Sequence, residues 1–305
     1  MPRWLKMLFA AALMVALAYS VDFGELRAHL TRLDWPVAVL ALLAIVLEMP
    51  VNAAKWFWSL RLHDRYFAWR DLFRIACMGY FFSNFLPSAI GGDVYRVYRT
   101  WPRQGDKSVA VSAVIVERLV GLAVMLINGA VGALFLLEYA VARSYVTVAA
   151  AGTVIGLLGL PVLLTLQRRG VLSRRVPKLA AIETTLQRIL QFRPEWLALL
   201  AASLCFQVLA AAAVLLCFQA VGAPIGVPAA LLITAAAGIA SVLPISISGL
   251  GVVEGSIAGM AVALGASYEG GVVAALLLRV LALLVSALCG LFCFVDDGER
   301  LPARA

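Results

Sequence analysis

The sequence predicts an all-α polytopic membrane protein. Of its 305 residues, 63% are hydrophobic and 14% charged, a surplus that no soluble domain of this size needs. Several apolar runs exceed the ~18 residues that mark a membrane span. Two of them break in the same way, at Leu86-Pro87 with Gly91-Gly92-Asp93 and at Leu243-Pro244 with Gly249, Gly251 and Glu254. A membrane β-barrel would instead show short alternating segments. The expected architecture is about six full transmembrane helices plus two broken, re-entrant helical hairpins in an inverted repeat.

The first apolar segment runs from Met1 to Val21 behind Arg3 and Lys6. Ala16-Leu17-Ala18 resembles a cleavage site. A retained span is the preferred reading, because another membrane segment follows, and the two basic residues put the N-terminus in the cytoplasm. A mixed-charge loop, Asp22 to Trp35, leads to Pro36, which suits a helix opening. The second span then runs to about Trp58 and carries Glu48, Asn52 and Lys55. Glu48 and Lys55 are seven residues apart and so share a helix face. Trp56, Trp58 and Trp69 fit an interfacial belt.

Leu72 to Ile90 is apolar and ends at the first break. Were it a full crossing, the basic loop from Arg168 to Arg193 would lie outside, against positive-inside bias. The segment is therefore read as entering and leaving from the cytoplasmic side. Spans follow at Ser108 to Leu137, Tyr145 to Leu166 and Glu195 to Val221. Val227 to Leu264 is the second broken hairpin, and Gly270 to Val295 returns to a cytoplasmic C-terminus. One membrane domain thus holds two repeat halves, 36–137 and 195–295, joined by a basic linker over 167–194. Paired breaks in corresponding halves point to a transporter-type site.

A charge in mid-membrane costs at least ~2.5–3.5 kcal/mol on insertion scales. Glu48, Lys55, Asp93, Arg96, Glu117, Arg118, Glu254 and Arg279 therefore each need a partner, water or a ligand. Mutual salt bridges and substrate contact are balanced readings. Glu117 and Arg118 project roughly 100° apart and do not pair with each other; Asp93, Arg96 and Glu254 are the natural partners for them. Asn84 and Ser246 supply uncharged polar groups beside the breaks. Pro87, Gly91, Gly92, Pro244, Gly249 and Gly251 shape the breaks. Gly251, Gly255 and Gly259 form a small-residue face, read as close helix packing.

The exclusions are as informative. The net charge of +8 does not mark a nucleic-acid binder, since the basic residues sit in loops between spans. They serve topology first and anionic headgroups second. The five cysteines, Cys77, Cys205, Cys217, Cys289 and Cys293, lie in apolar runs and read as small buried hydrophobes. His29 and His63 stand alone in loops, so neither a metal set nor a nucleophile–histidine pair is supported. No phosphate-cradling motif of the Walker type is present. No cofactor is expected.

Taken together, Phe82-Ser83-Asn84-Phe85-Leu86-Pro87, Gly91-Gly92-Asp93, Arg96, Glu117-Arg118, Leu243-Pro244-Ile245-Ser246 with Gly249, Gly251 and Glu254, and Leu278-Arg279 resemble the membrane domain of lysylphosphatidylglycerol synthases. That superfamily includes stand-alone flippase-like members. In the fused enzymes, the resemblance implies a domain that moves an aminoacylated phospholipid between leaflets while a separate soluble domain transfers the amino acid. Here it implies a flippase of the cytoplasmic (inner) membrane without amino-acid transfer. Its partners would be phospholipid, hopanoid or polyprenyl-linked amphiphiles, with biosynthetic enzymes and a homo-oligomer left open. The acids would meet a cationic headgroup or a coupling proton, and Arg96, Arg118 and Arg279 a phosphate. The alternatives are a non-transporting partner in lipid or glycan biosynthesis and an intramembrane enzyme acting on a lipid-linked substrate.

Overall fold

The computed structural model describes residues 33–85, 91–104, 107–148, 193–242 and 249–292, and among them all regular structure is helical. The elements are α1 (Trp35–Leu62), α2 (Trp69–Phe85), α3 (Gly91–Gln104), α4 (Lys107–Leu134), α5 (Pro194–Ala220), α6 (Val227–Val242), α7 (Val252–Ala263) and α8 (Tyr268–Gly290). Residues 140–148 are also helical, so the helix expected from Tyr145 begins earlier. The rest of that expected span, the segment from Met1 to Val21 and the basic linker up to residue 192 lie outside the described residues.

Among the described residues, four helices are long and apolar enough to cross a membrane: α1, α5, α8 and the Val109–Leu134 part of α4. Each start has a local cause. Asp34 caps α1 by accepting from the Val37 amide at 3.3 Å, with Pro36 in the first turn. Pro194 opens α5, and Ser267 caps α8 by accepting from the Gly270 amide at 3.2 Å. Pro50 lies inside α1, where its missing amide removes one intrahelical hydrogen bond.

Between the long helices lie two pairs of short ones. In the first, α2 and α3 fold back on each other. Tyr95 donates to Met78 Sδ at 3.0 Å, and the rings of Phe82 and Tyr95 lie 4.8 Å apart. Gly91 and Gly92 are helical rather than unusual in backbone shape. Gly92 is small for a different reason: a Cβ there would run into the Gly79 carbonyl and Ser83 Oγ. In the second pair, Gly249 and Gly251 do take left-handed backbone, φ 73° and 78°, ahead of α7. The small-residue face read from Gly255 and Gly259 is a correction. A Cβ at either would meet nothing within 4 Å. A tight glycine contact with another helix's backbone is found instead on α4, where Gly132 lies against the backbone of Pro228 and Leu232.

The helix packing maps onto itself when α1–α4 are exchanged with α5–α8. The α2–α3 contact matches α6–α7, and α3–α4 matches α7–α8. In the same way α1–α2 matches α5–α6, α4–α6 matches α8–α2, α1–α4 matches α5–α8, and α4–α5 matches α8–α1. The α1–α5 contact is its own counterpart and the most extensive in the fold. These two helices run antiparallel. The Asp34 amide, at the start of α1, donates to the Ala220 carbonyl at the end of α5 at 2.8 Å. Arg193, at the start of α5, donates to the Leu62 carbonyl at the end of α1 at 3.3 Å. Equivalent helices therefore point in opposite directions, which is the geometry of an inverted repeat. The main apolar core gathers side chains of α1, α2, α5, α6, α7 and α8, among them Ile45, Cys77, Phe218, Ile233, Ile257 and Val285.

Candidate functional site

Glu48 apart, the mid-membrane charges settle into two groups, one in each half. In the first, α1, α3 and α4 supply Lys55, Asp93, Arg96, Glu117 and Arg118. Glu117 is buried, 4% exposed, and takes two cations. Arg96 Nη1 donates to its Oε2 at 3.1 Å, and Lys55 Nζ lies 3.5 Å from its Oε1. Asp93 takes the others: Arg118 Nη2 lies 2.8 Å from Asp93 Oδ2, and Arg96 Nη1 lies 3.9 Å from Oδ1. Two aromatic faces close the group. The Arg96 guanidinium sits over Trp56 at 5.4 Å and the Lys55 ammonium over Phe206 of α5 at 4.6 Å.

As expected from their divergent directions, Glu117 and Arg118 reach separate partners on α3, Arg96 and Asp93, and Glu117 also meets Lys55 of α1. Glu254 is not one of them. It pairs within the second half, accepting from Arg279 Nε at 2.5 Å through Oε1 and from the Gly251 amide at 2.7 Å through Oε2. That second bond fixes the carboxylate at the first turn of α7, where the helix dipole favours an anion.

The two groups share a register. Asp93 is the third residue of α3 and Glu254 the third of α7. Arg118 is the twelfth residue of α4 and Arg279 the twelfth of α8. Each arginine follows its acid by 25 residues. A carboxylate–arginine pair therefore recurs at equivalent positions of the two antiparallel halves. The difference between them is charge. The first group has three cations and two acids; the second pair is balanced.

Other expected site residues fare differently. Asn84 turns back to donate to the Tyr80 carbonyl at 3.0 Å, one turn earlier on its own helix. Pro87, Pro244 and Ser246 lie outside the described residues. Glu48 and Lys55 are both buried on α1, but the acid in ion-pair range of Lys55 is Glu117. Trp56 corrects the interfacial-belt reading. It is fully buried, because Leu60, Leu72 and Ala113 pack around it and the Arg96 guanidinium lies over its ring. Its role and that of Phe206 were missed; an aromatic beside a buried lysine was the available signal for Trp56.

His63 is also corrected. It is not alone: Nε2 lies 3.0 Å from Ser112 Oγ and Nδ1 lies 2.8 Å from the Ser59 carbonyl. Burial lowers its pKa from the ordinary histidine value. No group of histidine, cysteine or acidic residues suited to a metal occurs among the described residues. Cys77, Cys217 and Cys289 are buried and unbridged, while Cys205 is exposed.

A chain whose described residues are helical, with several spans, two antiparallel equivalent halves and ion pairs held between helices, is a multi-pass membrane protein. Residues 3–290 match the family described as lysylphosphatidylglycerol synthase TM region. The chain belongs to that family, which relates it to lipid biosynthesis or lipid flipping. Among curated proteins, none matches the chain.

Proposed function

We propose that this protein is a lipid flippase that moves a polar-headgroup lipid or lipid-linked precursor between leaflets, rather than an enzyme. The observation that carries this reading is the recurrence of a carboxylate–arginine pair at one register in two halves of opposite direction. Such halves offer the headgroup equivalent contacts toward the two faces of the membrane. Arg118 lies near the middle of a span, about 17 Å from the start of α4, and its side chain is 60% exposed. It shares that exposed side with the apolar Val111, Ile115, Leu119 and Leu122. A guanidinium in that position favours a lipid phosphate that approaches sideways from the bilayer. The acyl chains would stay in lipid while Asp93, Arg96 and Glu117 meet the headgroup.

The arginine-rich end of α1 and α2, with Arg61, Arg65, Arg70 and Arg74, supports a cytoplasmic placement of that end in the inner membrane. The test is leaflet exchange of labelled lipids in vesicles holding the purified protein. Wild type should exchange them faster than empty vesicles, and Arg118→Gln should abolish the gain while remaining folded. Exchange indistinguishable from empty vesicles for phospholipid, hopanoid and polyprenyl-phosphate probes would overturn the reading.

A further inference from the structure

We propose that the corner joining α1 to α2 is a binding site for the phosphate of an anionic phospholipid headgroup, separate from the ion pairs between the spans. At 28 residues, α1 is about 42 Å long, against a hydrocarbon core of about 30 Å. Its last turn and the corner after it therefore lie at headgroup depth. The corner holds Arg61 and Arg65 and is walled by aromatics. The Arg61 guanidinium lies 4.7 Å from the Phe57 ring centre, 5.7 Å from Trp58 and 5.2 Å from Tyr66. The Trp69 ring packs edge-on to Phe57 at 5.9 Å. Tyr66 and Trp69 are exposed, as suits side chains with an apolar body and a polar tip at a membrane surface.

Two donors in this corner lack acceptors. Arg61 Nε and Arg65 Nε are both buried and have no hydrogen-bond partner. A buried donor without an acceptor costs free energy that a bound oxygen restores. The acids near the corner face Arg193 instead: Asp64 Oδ1 takes it at 2.8 Å, and Glu195 Oε2 lies 3.7 Å from it, in ion-pair range but without a hydrogen bond. The rings hold the Arg61 fork in place, so little freedom is lost when an anion seats on its Nε–Nη edge. A phosphate diester offers the paired oxygens that this edge fits. The lipid source is favoured over free phosphate because the exposed rim is aromatic and the corner ends a span.

The test is native mass spectrometry of the purified protein with phosphatidylglycerol, phosphatidylcholine and inorganic phosphate as probes. Wild type should retain phosphatidylglycerol about tenfold better than phosphatidylcholine, the step that one charged hydrogen bond supplies. The Arg61→Gln/Arg65→Gln double variant should lose that preference. Arg143→Gln, an exposed arginine beyond α4, should keep it. If the double variant does not fold, Arg65→Gln alone is compared with Arg61→Lys, which keeps charge but loses the fork; both should weaken the preference. No preference in wild type, or an undiminished one in folded variants, overturns the proposal. So does displacement of the lipid by millimolar inorganic phosphate. The result is independent of leaflet exchange, so a failed flippase reading leaves this site standing, and the reverse.

Discussion

Arg118 and Arg279 hold the same position in equivalent helices, yet the Arg118 side chain is 60% exposed and that of Arg279 16%. The carboxylates differ in the same sense: Asp93 is 16% exposed and Glu254 3%. One pair is open and the other closed.

That difference predicts opposite outcomes for two similar changes. Glu254→Gln leaves a largely buried guanidinium facing a neutral amide. Removing one partner of a buried pair costs about 3–5 kcal/mol, so its thermal unfolding in detergent should shift down sharply. Arg118→Gln removes a mostly exposed partner and should cost no more than about 1 kcal/mol. Equal shifts for the two would mean the pairs are equivalent in solution and the open-and-closed distinction is wrong.

The Arg96–Glu117 bond should behave as a coupled unit. Arg96→Gln leaves Glu117 with Lys55 alone, and Glu117→Gln leaves two buried cations facing each other. The double variant removes the opposition of Arg96 to Lys55 and leaves Lys55 as the one buried cation without its acid. We expect a coupling of about 1–3 kcal/mol in a double-mutant cycle read by denaturant or thermal unfolding. Strictly additive costs would show that the two side chains do not depend on each other.

Much of this was legible in the sequence, and the reasons are local. Helix positions followed from apolar runs that prolines, glycines and caps punctuate, such as Asp34-Trp35-Pro36 and Ser267. The acids and arginines of the two pairs stood out because charge is costly in a span. Their pairing was only half legible. Direction about the α4 axis separates Glu117 from Arg118, but nothing local says that Glu254 meets Arg279 rather than Arg118. That depends on which helices touch, a long-range property. Trp56 and His63 were misread for the same reason. Each was judged from its chain neighbours, whereas its surroundings come from α3 and α4. The glycines failed differently. Spacing finds a small face at Gly255 and Gly259, but only packing tells whether another backbone lies against it.

Gly92 and Gly255 test that last point directly. Gly92→Ala puts a methyl into the Gly79 carbonyl, a backbone group that cannot rotate away. Overpacking of this kind costs about 1–3 kcal/mol, and the α2–α3 hairpin should loosen. Gly255→Ala points its methyl into open space inside α7. It should be neutral, or stabilising by about 0.5–1 kcal/mol through helix propensity. A matched pair of unfolding curves decides this, and the reverse order would refute the packing.

His63 gives the fold a pH dependence whose sign can be worked out. The ring bridges the end of α1 to Ser112 of α4. Neutral and protonated on Nδ1, it donates to the Ser59 carbonyl and accepts from the Ser112 hydroxyl, so both nitrogens are satisfied. Burial lowers its pKa and outweighs the Ser59 carbonyl and Asp64, which favour the charged ring; Arg65 adds to the lowering. The unfolded chain, with an ordinary value near 6.5, therefore binds more protons than the folded one as pH drops below that value. Stability from this group is complete above about pH 6.5. It falls as pH is lowered from there toward the depressed folded value, by at most about 1.4 kcal/mol per pH unit. Unfolding temperatures of wild type and His63→Gln, measured from pH 7.5 down to 5.5, isolate the effect. The wild type should lose stability faster than the variant below pH 6.5. Parallel curves would mean that the ring titrates alike in both states and that its bridge to α4 contributes nothing to the pH response.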